Sequence, residues 1–173
     1  DAAHLEIDIY AGMKPKTGPV TWDLGVIYYA YPNQNSAVEL NMVEFKVGGS
    51  AEVWKGGTFG VTGFYSPDYT GELGPTWTVE GAFSQSLPQM GMFTPTFSAL
   101  IGFQHSGDAA YLAAYGDDSY TYWNAGLTFG FLEKWSIDFR YWDSNLEATG
   151  GACGTALFQC DERRIVRLHE FLA

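Results

Sequence analysis

Hydrophobic and polar residues alternate along most of this chain, and this period of two limits the possible folds more than any other feature. In the segment Leu5–Met13, the odd positions hold Leu, Ile, Ile, Ala and Met, whereas the even positions hold Glu, Asp, Tyr and Gly. A strand places alternate side chains on opposite faces, whereas a helix would mix the two sets. The pattern therefore predicts a β-strand with one apolar and one polar face.

Seven further segments repeat this alternation. With the first, the predicted strands are Leu5–Met13, Val20–Tyr28, Val43–Val53, Phe59–Tyr65, Trp77–Phe83, Phe97–Phe103, Trp123–Phe131 and Trp135–Tyr141. A ninth segment, Arg163–Leu172, alternates poorly, because Arg167 and His169 lie among apolar residues, and only its position predicts a strand. Most of these segments approach the length of a membrane-spanning strand, about 9–11 residues.

The connections between these segments alternate strictly between short and long. The short connections are Lys14–Pro19, Trp54–Gly57, Pro88–Phe93 and Leu132–Lys134, and the long ones are Pro32–Met42, Pro67–Pro75, Ser106–Ser119 and Ser144–Glu162. In an up-and-down meander, alternate connections lie at opposite ends, as in outer-membrane barrels with tight periplasmic turns and larger extracellular loops. We therefore predict an all-β, antiparallel up-and-down transmembrane β-barrel, with about nine strands in a single domain, residues 1–173.

Charge and composition agree with a membrane barrel. Only 17% of the residues are charged, below the quarter typical of soluble domains, and the net charge is −11. An acidic chain repels nucleic acid, which excludes DNA and RNA as partners. Lysines lie in the short turns, at Lys14, Lys16, Lys55 and Lys134, whereas the long loops are acidic, and the expected location is the outer membrane of a Gram-negative bacterium, with the lipid bilayer as partner.

The polar face of the strands is rich in Gly, Ser and Thr and carries few charges, which favours a narrow lumen over a water-exposed exterior. The candidate lumen residues are Glu6, Asp8, Asp23, Glu44, Lys46, Glu80, Asp138 and Arg140. We expect Asp138 and Arg140 to pair because they lie two positions apart on one face, and Lys46 is similarly placed to meet Glu44. The excess of carboxylates predicts a mild preference for cations.

Trp and Tyr residues cluster near the predicted strand ends, where amphipathic rings form belts at the membrane interface. The cluster contains Trp54, Trp77, Trp135 and Trp142, with Tyr28, Tyr29, Tyr31, Tyr65, Tyr120, Tyr122 and Tyr141. Ordinary aromatic pairing across strands is the alternative interpretation.

The sequence offers no catalytic constellation. The three histidines are far apart, and we find no metal-binding spacing, nucleophile elbow or phosphate-binding loop, so no enzyme activity, cofactor or metal is predicted. Asp117 and Asp118 are interpreted as a solvated pair rather than a weak Ca²⁺ site. Cys153 and Cys160 suit a small disulfide loop in an oxidising compartment, with two free thiols as the alternative.

Three stretches resemble the TorF-type porin family of proteobacteria, also called Gcw_chp: Glu6–Gly12, Gly63–Tyr69 and the region Ala152–Arg163. The resemblance implies a roughly 12-stranded outer-membrane barrel with an inferred porin role. Family members have further N-terminal strands, and they usually close on an aromatic C-terminal strand, whereas this chain ends Phe171-Leu172-Ala173. The resemblance therefore implies either a chain truncated at its N-terminus or a sheet completed by a partner chain.

Three functions remain open from the sequence. The first is a porin-like channel for ions or small solutes. The second is a structural or partner-binding outer-membrane barrel with a packed lumen, and the third is a soluble ligand-binding β-barrel. The first two differ in the width of the lumen, which depends on strand number and shear.

Overall fold

A computed structural model describes residues 5–34, 39–146 and 163–170. Over these residues it contains one helix and ten strands. They are β1 (Ile7–Met13), β2 (Lys16–Thr17), β3 (Val20–Ala30), β4 (Met42–Trp54), β5 (Gly57–Ser66), β6 (Thr76–Ser86), β7 (Thr94–His105), α1 (Ala109–Tyr115), β8 (Ser119–Phe131), β9 (Trp135–Ser144) and β10 (Arg163–Glu170). Within the described ranges, no helix has the length and apolar character needed to cross a membrane.

The strands form one antiparallel sheet in which each main strand pairs with the next along the chain. The order is β1-β3-β4-β5-β6-β7-β8-β9-β10, and the two-residue β2 pairs with β3 beside the first turn. The predicted all-β antiparallel meander is thus confirmed. In the part of the chain that the structure describes, β1 and β10 are the two edges of the sheet, so these strands do not close the predicted barrel by themselves.

Short and long connections lie at opposite ends of this meander, as the sequence predicts. Residues 14–19, 55–56, 87–93 and 132–134 connect strands at one end, called the short-turn end. Residues 67–75 and 106–118 connect them at the other end, called the long-loop end, where the described loop residues 31–34, 39–41 and 145–146 also lie. The long loops contact one another: Thr70 Oγ1 donates to the Leu40 carbonyl at 3.0 Å, and Ser106 Oγ donates to the Pro75 carbonyl at 2.7 Å.

The sheet is strongly curved. Glu6, which precedes β1, and Tyr122 of β8 line the same cavity, although six strand-to-strand steps separate β1 from β8. In a flat sheet, six steps of about 4.8 Å would put them about 29 Å apart. The sheet therefore curls round a concave face.

Apolar side chains lie on the convex face and polar ones on the concave face. Phe45 and Val47 of β4 are 49% and 59% exposed, and Val61 of β5 and Phe139 of β9 are also exposed. Over the described residues, the buried hydrophobic side chains are Leu40, Tyr111 and Tyr115, whereas the buried polar ones are Ser66, Thr70, Thr76, Thr78, Gln104, Ser106, Asn124, Ser136 and Asp138. Most of the buried side chains among the described residues are therefore polar, whereas a typical core buries mostly apolar ones.

Candidate functional site

The candidate site is the concave polar face, where most of the predicted lumen residues form three groups. Glu6, Glu44 and Glu80 line one cavity near the long-loop end. Asp23 and Lys46 line a second cavity beside β1 and β3, and Asp138 pairs with Arg140 on β9. Asp8 lies on the edge strand β1 and is exposed.

Arg140 is held by a dense set of hydrogen bonds across β7, β8 and β9. Its guanidinium binds both carboxylate oxygens of Asp138 at 3.0 Å, which is the predicted pair. It also donates to Asn124 Oδ1 at 2.6 Å and to Ser98 Oγ at 2.7 Å, while Thr128 Oγ1 donates to Asp138 Oδ2 at 2.6 Å. The side chains of Arg140 and Asp138 are only 17% and 12% exposed. A bidentate pair with these extra bonds fixes the positions of three neighbouring strands.

Lys46 pairs across strands rather than along its own strand. Its Nζ lies 2.6 Å from Asp23 Oδ2, so its ion-pair partner is Asp23 on β3 and not Glu44. Side chains two positions apart on one strand share a face, yet Lys46 extends sideways to the neighbouring strand. Lys14, in the first short turn, lies 3.6 Å from the same oxygen.

Tyrosine rings and carboxylates line the cavity of about 360 Å³ near the long-loop end, here called the tyrosine chamber. Its lining comprises Glu6, Tyr29, Tyr31, Met42, Glu44, Phe64, Tyr69, Thr70, Thr78, Glu80, Gln104 and Tyr122. The Tyr29 hydroxyl donates to Glu44 Oε2 at 3.2 Å, and the Tyr122 hydroxyl donates to Glu80 Oε1 at 2.6 Å. The chamber is thus acidic, aromatic and partly apolar.

A glycine lets Tyr122 cross from β8 to Glu80 on β6. Gly102 of β7 lies between them in register, opposite Tyr122 on one side and Glu80 on the other. A Cβ built on Gly102 would collide with the Tyr122 ring. The missing side chain therefore provides the space in which the ring lies over β7.

Helix α1 folds from the β7–β8 loop onto the chamber. The Asp108 carboxylate caps its N-terminus by accepting from the Ala110 N–H at 2.8 Å, and Gly116 ends it with φ of 79°. Tyr111 is 0% exposed, and its hydroxyl accepts from Gln104 Nε2 at 3.2 Å. Tyr115 is also buried, with its ring centroid 4.5 Å from that of Tyr111. Burial raises the pKa of both hydroxyls above the ordinary tyrosine value, so they stay neutral at an alkaline pH that ionises exposed tyrosines.

Eight of the eleven residues of the predicted aromatic belt fall into two sets, and the other three, Trp135, Tyr141 and Trp142, are half-buried on β9. Trp54, Trp77, Tyr28 and Tyr65 are exposed on the convex face, where a belt would lie. Tyr29, Tyr31 and Tyr122 line the tyrosine chamber instead, and Tyr120 donates to Gln104 there at 3.2 Å. The interpretation of these four as belt residues was wrong. Their position in the alternation could have shown it, because Tyr29, Tyr120 and Tyr122 fall on the polar faces of β3 and β8, and Tyr31 continues the alternation of β3 one residue beyond its end.

A protein-family model described as "Bacterial protein of unknown function (Gcw_chp)" matches residues 1–169. The chain belongs to the Gcw_chp family. No curated protein and no solved structure matches this Gcw_chp chain. The family is described as one of unknown function, so the match establishes the family of the chain and assigns no activity to it.

Two predictions about this Gcw_chp chain concern its C-terminal region. Cys153 and Cys160 lie outside the described residues, so their disulfide stays a prediction. The predicted ninth strand is present as β10 (Arg163–Glu170), which pairs with β9 and places Arg167 opposite Asp138 in register.

Within the described ranges, no group of three or more His, Cys, Asp or Glu side chains is arranged to hold a metal ion.

Proposed function

We propose that this Gcw_chp chain forms the wall of an outer-membrane β-barrel whose polar interior passes small solutes, with a preference for cations. The observation that carries the proposal is the distribution of side chains, with apolar residues on the convex face and ion pairs on the concave face. In water, an apolar exterior of this extent would promote aggregation, whereas in lipid it is the stable arrangement. This distribution argues against the soluble ligand-binding barrel, whose apolar face would point inward.

Strand length supports a membrane location. The main strands β3 to β9 contain 10–13 residues each. Ten residues at about 3.3 Å each, tilted by about 40°, cover about 25 Å, which is the height of the apolar band of a membrane barrel.

Among the described strands, β1 and β10 each pair on one side only. In lipid the other edge of each strand requires a partner, because unpaired backbone groups cannot remain in the hydrocarbon core. Pairing of β1 with β10, further strands of the same protein, or strands of a partner chain would each satisfy these edges. Any of them would complete the barrel around the same concave face.

The tyrosine chamber supports the cation preference. Three of its lining residues, Glu6, Glu44 and Glu80, are acidic, and none of the lining residues that the structure describes is basic. A solute entering from the long-loop end therefore meets negative charge first.

A packed, partner-binding barrel is the second candidate function, and the full burial of Tyr111 favours it. Planar-bilayer recordings across a KCl gradient distinguish the two. A channel gives discrete conductance steps with a reversal potential on the cation-selective side. A bilayer that stays silent would support the packed barrel, and an anion-selective reversal potential would contradict the proposed selectivity.

A further inference from the structure

The tyrosine chamber has features that a bare ion pathway does not need. It combines carboxylates with aromatic rings and with the apolar side chains of Met42 and Phe64. A small hydrated ion gains nothing from apolar walls, whereas an organic molecule buries its carbon atoms against them. The chamber volume of about 360 Å³ falls within the range of small-molecule sites.

The structure describes no basic side chain among the residues that line the chamber. Lys46 is bound to Asp23 and Arg140 is bound to Asp138, so each of these cations already has a carboxylate partner outside the chamber. Among the described residues, Glu44 and Glu80 receive their hydrogen bonds from phenols, which carry no positive charge. Carboxylates in a poorly solvated site favour a cation as ligand.

The hydrogen-bonding capacity of these carboxylates specifies the kind of cation. Tyr29 binds Oε2 of Glu44 and Tyr122 binds Oε1 of Glu80, so within the described structure the other oxygen of each carboxylate is available to accept. A ligand with N–H donors can donate to the available oxygen of Glu44 and to that of Glu80, whereas a cation without donors can donate to neither. Tyrosine ring faces stabilise the same positive charge.

We propose that the tyrosine chamber binds an organic cation with N–H donors at both ends of a short apolar chain, of the alkyl diamine class. One ammonium group binds Glu44 and the other binds Glu80, while the methylene chain lies against the rings and Phe64. This inference rests on the proposed function, since it names the solute that the acidic end of the channel selects.

Binding of 1,4-diaminobutane to the full chain in detergent, measured by isothermal titration calorimetry, tests the proposal. 1,4-Butanediol has the same chain without charge, and tetramethylammonium has charge without donors. We expect saturable binding of the diamine, and binding of the other two at least about tenfold weaker. Equal binding of the diol or of tetramethylammonium would overturn the proposal without the need for any variant.

Variants locate the site. The double variant Glu44→Gln/Glu80→Gln should bind the diamine at least about tenfold more weakly. Its matched control is Glu72→Gln/Asp117→Asn, which removes two exposed charges from the long loops and should bind as the unaltered chain does. Unchanged binding in the first variant, or equal loss in both, would contradict the assigned site.

The outcome separates this inference from the proposed function. If the chain conducts cations selectively in bilayers but does not bind the diamine, the chamber assignment is wrong and the channel stands. If the chain binds the diamine at the chamber but never conducts, the chamber assignment stands and the channel is wrong.

Discussion

The hydroxyl of Tyr122 on β8 donates a 2.6 Å hydrogen bond to Glu80 on β6, across the whole width of β7. The contact is possible because Gly102, between them, has no side chain. Three adjacent strands thus form one interaction on the concave face: β8 contributes the hydrogen-bond donor, β6 the acceptor, and β7 the glycine that leaves room for the ring.

Gly102→Ala should displace the Tyr122 ring and break its bond to Glu80. The added methyl group overlaps the ring, and overpacking of this kind costs about 1–3 kcal/mol in the free energy of unfolding. Urea titration of the chain in detergent measures the loss. Gly81→Ala is the control, because a Cβ there meets only Ile101 at 3.8 Å, and equal destabilisation by both changes would contradict the assigned role of Gly102.

Asp138→Asn should destabilise the sheet far more than a change to an exposed ion pair. Removing the Asp138 charge leaves Arg140 nearly buried and unbalanced, which costs about 3–5 kcal/mol. Lys14→Met is the control, because the Lys14 side chain is 71% exposed and its pair with Asp23 is worth at most about 1 kcal/mol. Similar unfolding midpoints for the two variants would show that the Arg140 hydrogen bonds do not stabilise the fold.

The alternation of residues is sufficient to predict β1 and β3 to β9, because a period of two is a local property of the chain. It does not predict the two-residue β2, and β10 follows only from its position after β9. It was not sufficient to predict ion pairs between strands, because these depend on register: Asp23 faces Gly48 and Lys46 faces Gly25, a pairing that the hairpin fixes. The Asp138–Arg140 pair could be predicted because both residues lie on one strand.

Helix α1 was missed, although its sequence contains a local signal. Asp108 precedes the alanine-rich stretch Ala109–Tyr115, and Gly116 follows it, which matches a helix with an N-cap and a left-handed C-terminal residue. Its docking on the chamber depends on the tertiary contact of Tyr111 with Gln104, which no local pattern contains.

Tyr111→Ala should release α1 from the chamber and raise the single-channel conductance. Loss of a large buried aromatic side chain costs about 3–5 kcal/mol, which is enough to undock a seven-residue helix. Leu112→Ala is the matched control, because Leu112 is 49% exposed on the same helix. If Tyr111→Ala conducts no better than Leu112→Ala, α1 does not restrict the pore.

Alkaline pH should weaken the docking of α1. Burial raises the pKa of Tyr111 and Tyr115 in the folded chain above the unfolded value of about 10. The contribution of the two neutral tyrosines to the stability of the docked helix is therefore fully present below about pH 10. It is lost as the pH rises through the higher pKa values of the folded chain. The difference in tyrosinate absorbance between the unaltered chain and the variant Tyr111→Phe/Tyr115→Phe, followed during an alkaline titration, measures the ionisation of these two groups. If they ionise at the same pH as the exposed tyrosines, the buried arrangement is contradicted.

The exposure of alternate residues of β5 in a membrane tests the central claim most directly. Spin labels at Phe59 and Val61 on the convex face, and at Thr58 and Thr62 on the concave face, are compared in vesicles for collision with oxygen and with a water-soluble nickel chelate. Convex labels should meet oxygen and be protected from nickel, and concave labels should show the reverse. Equal access of nickel to both sets, or the opposite alternation, would contradict a membrane barrel with a polar interior.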